Sequence, residues 1–249
     1  MNNVLFISDL DNTLIGNDQA LEKLNHILNE HREKFGTKIV YATGRSLFLY
    51  QKLTQEQSLL LPDALIASVG TEVYLDIENE KMDPDWANFL SQYWQRDKIL
   101  EITHQFSELT PQPESEQGAF KISFYLAQPK AEAIIKQLES RFKQTKLDVK
   151  MIYSGSKNLD ILPKPADKGL AVQFLQTKWE MSDANTIVCG DSGNDIALFN
   201  TGKPRGILVG NAQTELREWY QNNRTHYRYL ATQNYAQGII EGLHHFQFI

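Results

Sequence analysis

Asp9-Leu10-Asp11-Asn12-Thr13 places two carboxylates two residues apart, directly after the apolar run Val4–Ile7. Residues i and i+2 of an extended chain leave on the same side, so both acids can face one pocket. Close carboxylates repel and shift each other's protonation unless a cation sits between them or one keeps a proton. Such a pair suits magnesium binding together with nucleophile and acid/base roles. A solvated turn capped by Asp and Thr would account for the same residues without chemistry. Gly190-Asp191-Ser192-Gly193-Asn194-Asp195 follows a second apolar run. Asp191 falls at the strand end, and Asp195 four residues later shares its face once a helix begins. A decorated helix N-terminus explains any one of these side chains, but the whole set poorly. Thr43-Gly44-Arg45 offers a hydroxyl and backbone amides at another strand end, as a phosphate cradle or a plain turn. Arg45 either contacts a phosphate or pairs with an acid. Lys168 follows Asp167, an expected N-cap, and so sits in a first helical turn, where a cation costs a few tenths of a kcal/mol against the helix dipole. An amine reaching a phosphate and the Asp9 carboxylate would give it a reason to be there.

These residues need a scaffold that brings distant loops together. Val4–Ile7, Lys38–Ala42, Ala64–Val69, Thr186–Cys189 and Gly206–Val209 are apolar runs, most of them separated by segments of helical periodicity such as Ala20, Leu21, Leu24, Ile27, Leu28 and Phe35. That alternation predicts an α/β fold with a mostly parallel sheet covered on both faces. Ligands in such sheets bind outside the carboxyl ends of the strands, where Asp9, Asp11, Thr43 and Asp191 all fall. The middle differs. Between Asp83-Pro84-Asp85 and Pro163-Lys164-Pro165 the strands read as half-exposed: Ala119–Ala127 alternates Phe120, Ile122, Phe124 and Leu126 with Lys121, Ser123 and Tyr125. Helices are expected over Trp86–Phe106 and Ala131–Phe142, strands over Met151–Tyr153 and Asn158–Leu162, and a final helix within Ala231–Phe248. Residues 83–164 therefore read as a smaller α+β domain inserted into the first. Lys121, Ser123, Lys157 and Asp160 lie on its polar strand edges.

Composition narrows the classes. The 249 residues are 41% apolar, enough for a substantial core, and carry 25 basic against 31 acidic side chains. A net charge of −6 argues against a sequence-independent hold on nucleic acid or an anionic membrane. Cys189 is the single cysteine, which excludes an intrachain disulfide or thiolate zinc site and fits a reducing compartment. The start, Met-Asn-Asn-Val-Leu-Phe-Ile-Ser-Asp, has no positive segment ahead of a long apolar one, and no run reaches transmembrane length. A soluble cytoplasmic protein is expected. The histidines fall at no metal-ligand spacing, and no P-loop signature occurs.

The four motifs in order, SDLDNT (Ser8–Thr13), ATGR (Ala42–Arg45), Lys168 in DKG, and GDSGND (Gly190–Asp195), resemble those of the haloacid dehalogenase superfamily of phosphatases. YATGRS, SVGTE (Ser68–Glu72), FKISFY (Phe120–Tyr125) and SGSKNLDILP (Ser154–Pro163) are similar to the sucrose-phosphate phosphatase family of cyanobacteria and plants. The resemblance implies a Rossmann-like core of residues 1–82 and 165–249, with residues 83–164 as a specificity cap. It implies Mg²⁺-dependent hydrolysis of sucrose 6-phosphate through an aspartyl phosphate. Asp9 would be the nucleophile and Asp11 the acid and base. Thr43, Gly44 and Arg45 would bind the phosphoryl group, and Lys168 would offset its charge. Mg²⁺ would be held by the Asp9 carboxylate, the Asp11 carbonyl and Asp191, supported by Asn194 and Asp195. Lys121, Ser123, Lys157 and Asp160 become the sugar readers. Expected partners are a small sugar phosphate and, by association, a sucrose-phosphate synthase, with the chain a monomer. Competing readings are a phosphatase of trehalose-, mannosylglycerate- or hexose-phosphate, a sugar-phosphate mutase, or a non-catalytic partner of a synthase.

Overall fold

The computed structural model describes residues 3–249; Met1 and Asn2, which open the segment expected to carry no leader, lie outside them. The described chain forms two compact units, one of residues up to Met82 together with Asp167–Ile249, the other Asp83–Ala166.

In the first unit the chain enters as β1 (Leu5–Ser8), followed by α1 (Asp18–Phe35), β2 (Lys38–Ala42), α2 (Leu47–Glu56), β3 (Ala64–Ala67) and the hairpin β4 (Glu72–Asp76) and β5 (Lys81–Met82). α1 starts where the Asn17 side chain accepts from the Ala20 N–H, satisfying a donor the helix cannot. Its face of Ala20, Leu21, Leu24 and Leu28 is buried, matching the spacing in the sequence.

The second unit holds α3 (Pro84–Ser91), α4 (Arg96–Thr103), β6 (Thr110–Pro111), β7 (Ile122–Tyr125), α5 (Gln128–Gln144), β8 (Val149–Ser154) and β9 (Asn158–Pro163), with an antiparallel sheet in the order β6-β7-β9-β8. Two expectations change here. The helix read over Trp86–Phe106 is two helices. Carrying the Trp86–Leu90 spacing onward would bury Asp97 and Lys98, which are exposed; the break resets the phase so that Ile99 and Ile102 are buried instead. The strand read over Ala119–Ala127 is shorter, and of the residues read as its polar face Lys121 and Ser123 are buried while Tyr125 stays exposed. α5 covers Ile122 and Phe124 with Ile134, Leu138 and Phe142. The Gln117 side chain, beside a short 3-10 turn at Glu114–Glu116, pairs with the edge of β7: it accepts from the Ser123 N–H (3.0 Å) and donates to its carbonyl (2.9 Å).

The chain then returns to the first unit through α6 (Lys168–Lys178), β10 (Thr186–Gly190), α7 (Ile196–Asn200), β11 (Arg205–Leu208), α8 (Thr214–Asn222), β12 (Arg228–Leu230) and α9 (Tyr235–His245). The eight-stranded sheet runs β12-β11-β10-β1-β2-β3-β4-β5, parallel from β12 to β3 and antiparallel at the β4–β5 edge. β1 is buried along its length, as expected for a strand covered on both faces. Ser8 lies opposite Cys189 on β10 and Tyr41 on β2, so the three central strands end nearly level. That register puts Asp9 one position short of Asp191 and Thr43 at the same edge. Among the described residues no helix is long and apolar enough to cross a membrane.

Candidate active site

The residues just past the strand ends stay pinned by sheet-like hydrogen bonds. The Asp9 N–H donates to the Cys189 carbonyl (3.0 Å) and the Thr43 N–H to that of Ile66 (2.8 Å). The carbonyl of Leu10 then accepts from the N–H groups of Thr13, Leu14 and Ile15, turning the chain tightly while Leu10 and Leu14 anchor in the core. Asp9, Thr43, Lys168, Asp191 and Asp195 are all buried.

Lys168 organises this edge. Asp167 caps α6 by accepting from the Leu170 N–H, which places Lys168 at the helix start. Its ammonium donates to Asp9 Oδ1 at 2.6 Å and to Asp195 Oδ1 at 2.7 Å, with 2% of the lysine side chain exposed. The other Asp195 oxygen accepts from the N–H groups of Asp191 (3.0 Å) and Ser192 (3.1 Å) and from the Ser192 hydroxyl (3.2 Å). Gly190 permits this closure: a Cβ there would lie 2.5 Å from that of Asp195. Asp191 faces the same place, its Oδ1 accepting from the Thr13 hydroxyl at 3.0 Å.

Oxygens of Asp9, Asp191 and Asp195 lie within 4.8 Å of one another. Three carboxylates against one ammonium leave two negative charges in a buried place, the balance a divalent cation would supply. The donor set is all hard oxygen, which fits such an ion. Burial, followed by the Asp195 charge, pushes the Asp191 carboxyl up to about 6. Burial also pushes Asp9 up to about 7; Lys168 opposes the shift, and Asp195 and Asp191 add to it. Burial disfavours the charged Lys168, but Asp195 and Asp9 outweigh it and hold the ammonium above its ordinary value.

Asp11 stands apart from the three acids. Its half-exposed carboxylate receives both arms of the Arg45 guanidinium, at 2.8 Å from Nε and 2.7 Å from a terminal nitrogen. Of the two roles open to Arg45, the structure displays the pairing with an acid. The Thr43 hydroxyl accepts from the Arg45 N–H (3.1 Å), closing the Thr43–Arg45 turn. Gly44 has no left-handed backbone, and a Cβ there would touch only Val69 at 3.9 Å, so packing within the chain does not require a glycine. A glycine is needed where backbone must approach a ligand closely. Asn194 lies exposed on the turn before α7.

In the second unit, Lys121 and Ser123 are buried rather than facing solvent along a strand edge. The Ser123 hydroxyl donates to Asp160 at 2.6 Å. Burial raises the carboxyl of nearby Glu116, opposed by the Lys121 charge and reinforced by that of Asp160. Lys157 is exposed in the turn between β8 and β9. Sequence reasoning missed Glu116, and also Gln213, whose N–H donates to the Asp191 carbonyl (2.7 Å) and whose amide nitrogen lies 3.4 Å from Asp191 Oδ2. The available signal for Gln213 was its place after the end of another parallel strand.

The sucrose-6F-phosphate phosphohydrolase family model matches residues 2–247. The chain belongs to that family. It is 40% identical to sucrose-phosphatase 2 of Nicotiana tabacum over 251 residues, which cover 97% of the chain and 59% of the tobacco protein. The chain therefore spans under two thirds of that relative's length. A solved sucrose-phosphatase from Synechocystis, in complex with sucrose and phosphate, superposes with a TM-score of 0.85 at 41% identity, covering 99% of both chains. A haloacid dehalogenase-like hydrolase from Bacillus subtilis shares the fold, with TM-score 0.72 at 18% identity over 97% of this chain and 91% of that one. The haloacid dehalogenase fold read from the motifs is thus the fold of this family member, an α/β core with a mostly parallel sheet plus a small antiparallel sheet.

Proposed function

We propose that this family member hydrolyses sucrose 6-phosphate to sucrose and phosphate. The observation that carries the reading is the buried Asp9–Lys168–Asp195 array beside Asp191, with two negative charges left for a divalent cation. Mg²⁺ would be held by the Asp9 and Asp191 carboxylates and the Asp11 carbonyl, supported by Asp195 and Asn194. Bound there, it would neutralise phosphoryl oxygens.

The chain's own residues account for the rest. Phosphoryl transfer needs alignment and charge stabilisation more than elaborate covalent chemistry. Lys168 fixes the Asp9 carboxylate and leaves one oxygen, Oδ2, free of the ammonium contact. That oxygen attacks phosphorus; the bond from phosphorus to the sugar oxygen breaks, and protonated Asp11 gives its proton to the leaving oxygen. The Thr43 hydroxyl and the amides around Gly44 bind the phosphoryl oxygens. Asp11, now a carboxylate, takes a proton from water as the water attacks the aspartyl phosphate, releasing phosphate and restoring Asp9. One difficult step becomes two easier ones. The Arg45 fork holds Asp11 between turnovers and must release an oxygen for each proton transfer.

For the second unit we propose the part of a cap that reads the sugar. Lys121, Lys157 and the hydrogen-bonded Ser123–Asp160 pair offer donors and acceptors suited to hydroxyl groups. The test is phosphate release with Mg²⁺ from sucrose 6-phosphate, trehalose 6-phosphate, a mannosylglycerate phosphate, glucose 6-phosphate and fructose 6-phosphate. Preference for sucrose 6-phosphate, abolished in Asp9→Asn, is expected. Equal turnover of all five removes the sucrose assignment, and no release from any removes the phosphatase reading.

A further inference from the structure

Beyond β3 the chain passes through three consecutive left-handed residues, Ser68 (φ 49°), Val69 (φ 61°, ψ 27°) and Gly70 (φ 93°), all buried. A β-branched residue at positive φ is a genuine outlier, and such strain persists only where its surroundings over-determine it. The surroundings on one side are the turn after β2. The Ser68 N–H donates to the Arg45 carbonyl (2.8 Å), the Val69 N–H donates to the Thr43 carbonyl (3.1 Å), and a Val69 methyl covers Gly44. On the other side Gly70 presses on the start of α6. A Cβ at Gly70 would lie 2.3 Å from the carbonyl carbon of Asp167 and 2.7 Å from the Lys168 nitrogen. The Thr71 N–H and hydroxyl both bond the Ser68 carbonyl, at 3.3 and 2.9 Å, closing the turn on itself.

We propose that the Ser68–Gly70 turn is a positioning element that holds the Thr43–Arg45 loop and the backbone of Lys168 in fixed register. Val69 and Gly70 are its positioning residues, acting through Thr43 and Lys168 without touching substrate. Three left-handed residues reverse the chain so sharply that two N–H groups meet β2's loop while the next α-carbon meets α6. A relaxed valine would turn its N–H away from Thr43. The strain is therefore the condition for bridging two elements at once, and the bridge sets where the cradle lies relative to the ammonium. This inference rests on the phosphatase reading of the same site for its kinetic consequences, though not for its structural ones.

The experiment compares Gly70→Ala, Val69→Gly and Val69→Asn with Leu243→Ala, a core truncation in α9. It measures steady-state phosphate release, thermal midpoint, and the NMR signal of the Lys168 ammonium, which its carboxylate partners shelter from solvent exchange. Gly70→Ala should lower kcat on the order of 10²-fold and shift or abolish the ammonium signal. Val69→Gly adds no atom but loosens the turn, and should raise KM on the order of tenfold with the ammonium signal displaced less. Val69→Asn tolerates the left-handed backbone and should restore KM to near the parental value. Leu243→Ala should lose thermal stability and keep both constants. Parental kcat, KM and ammonium signal in Gly70→Ala and Val69→Gly would overturn the proposal, as would activity losses in all variants that simply follow the thermal midpoint. If Gly70→Ala does not fold, the contrast of Val69→Gly with Val69→Asn decides. If the parental chain hydrolyses no sugar phosphate, the functional reading fails while the ammonium signal still decides this one.

Discussion

Replacing Lys168 by methionine keeps an unbranched, apolar stem one heavy atom shorter and removes the charged end. Two charge-assisted hydrogen bonds, at 2.6 and 2.7 Å to Asp9 and Asp195, disappear from a side chain only 2% exposed. Each contact has a gross Coulomb energy of about 6 kcal/mol at an effective dielectric constant of 20, most of it offset by desolvation. The carboxylates left behind are buried and uncompensated, and breaking a buried pair from one side costs roughly 3–5 kcal/mol. For a protein of this size that is a fall in thermal midpoint of roughly 6–20 °C in metal-free buffer near neutral pH. The loss should shrink on acidification, because burial already raises the Asp9 and Asp191 carboxyls and removing Lys168, which opposes that shift, raises them further, so both take up protons and relieve the repulsion. Saturating Mg²⁺ should return part of it, and phosphate release should be lost with or without the ion. Calorimetry at several pH values, with and without Mg²⁺, reads all of this. A Lys168→Met protein with the parental midpoint at pH 8 would refute the charge argument.

The other expectations address neighbouring parts. In the metal-free parent, Asp9 and Asp191 have raised pKa values, so the stability they contribute is complete below their unfolded value near 3.8 and is lost as pH rises through about 6 to 7. The thermal shift given by Mg²⁺ should accordingly be larger at pH 8 than at pH 5.5, by differential scanning calorimetry; an equal shift at both would contradict it. Thr13→Val removes the hydroxyl that orients Asp191 and should weaken Mg²⁺ affinity 10- to 100-fold by isothermal titration. Ser123→Ala breaks the 2.6 Å bond to Asp160 and should raise KM for sucrose 6-phosphate, with kcat held within a few-fold; unchanged KM would remove Ser123 from sugar recognition.

The placement of Asp9, Thr43, Asp191 and Lys168 was legible because each follows an apolar run or a capping residue, and parallel strands of matched register end together. The uses of Asp195 were not legible. Spacing put it on the face of Asp191, but nothing in the sequence says that one of its oxygens closes its own loop and the other holds a lysine from another helix. The Ser68–Gly70 turn was hidden for a different reason. Valine's local preference opposes a left-handed backbone, so only tertiary contacts reveal it. In the second unit the alternation of Phe120–Leu126 read as one polar face, whereas Lys121 and Ser123 on it are buried, the Ser123 hydroxyl lying 3.0 Å from the Glu116 carbonyl, close in sequence but outside the strand, and 2.6 Å from Asp160. The break in the helix read over Trp86–Phe106 was present as a phase slip between Leu90 and Ile99 that a search for apolar recurrence passes over.

Rapid quenching of the chain during turnover of sucrose 6-phosphate, followed by borohydride reduction and peptide mass spectrometry, asks most directly whether Asp9 carries the phosphoryl group. Reduction of an acyl phosphate converts aspartate to homoserine, and that conversion is expected at residue 9 alone, absent without substrate. Full turnover with Asp9 unmodified, or homoserine at another acid, would contradict it.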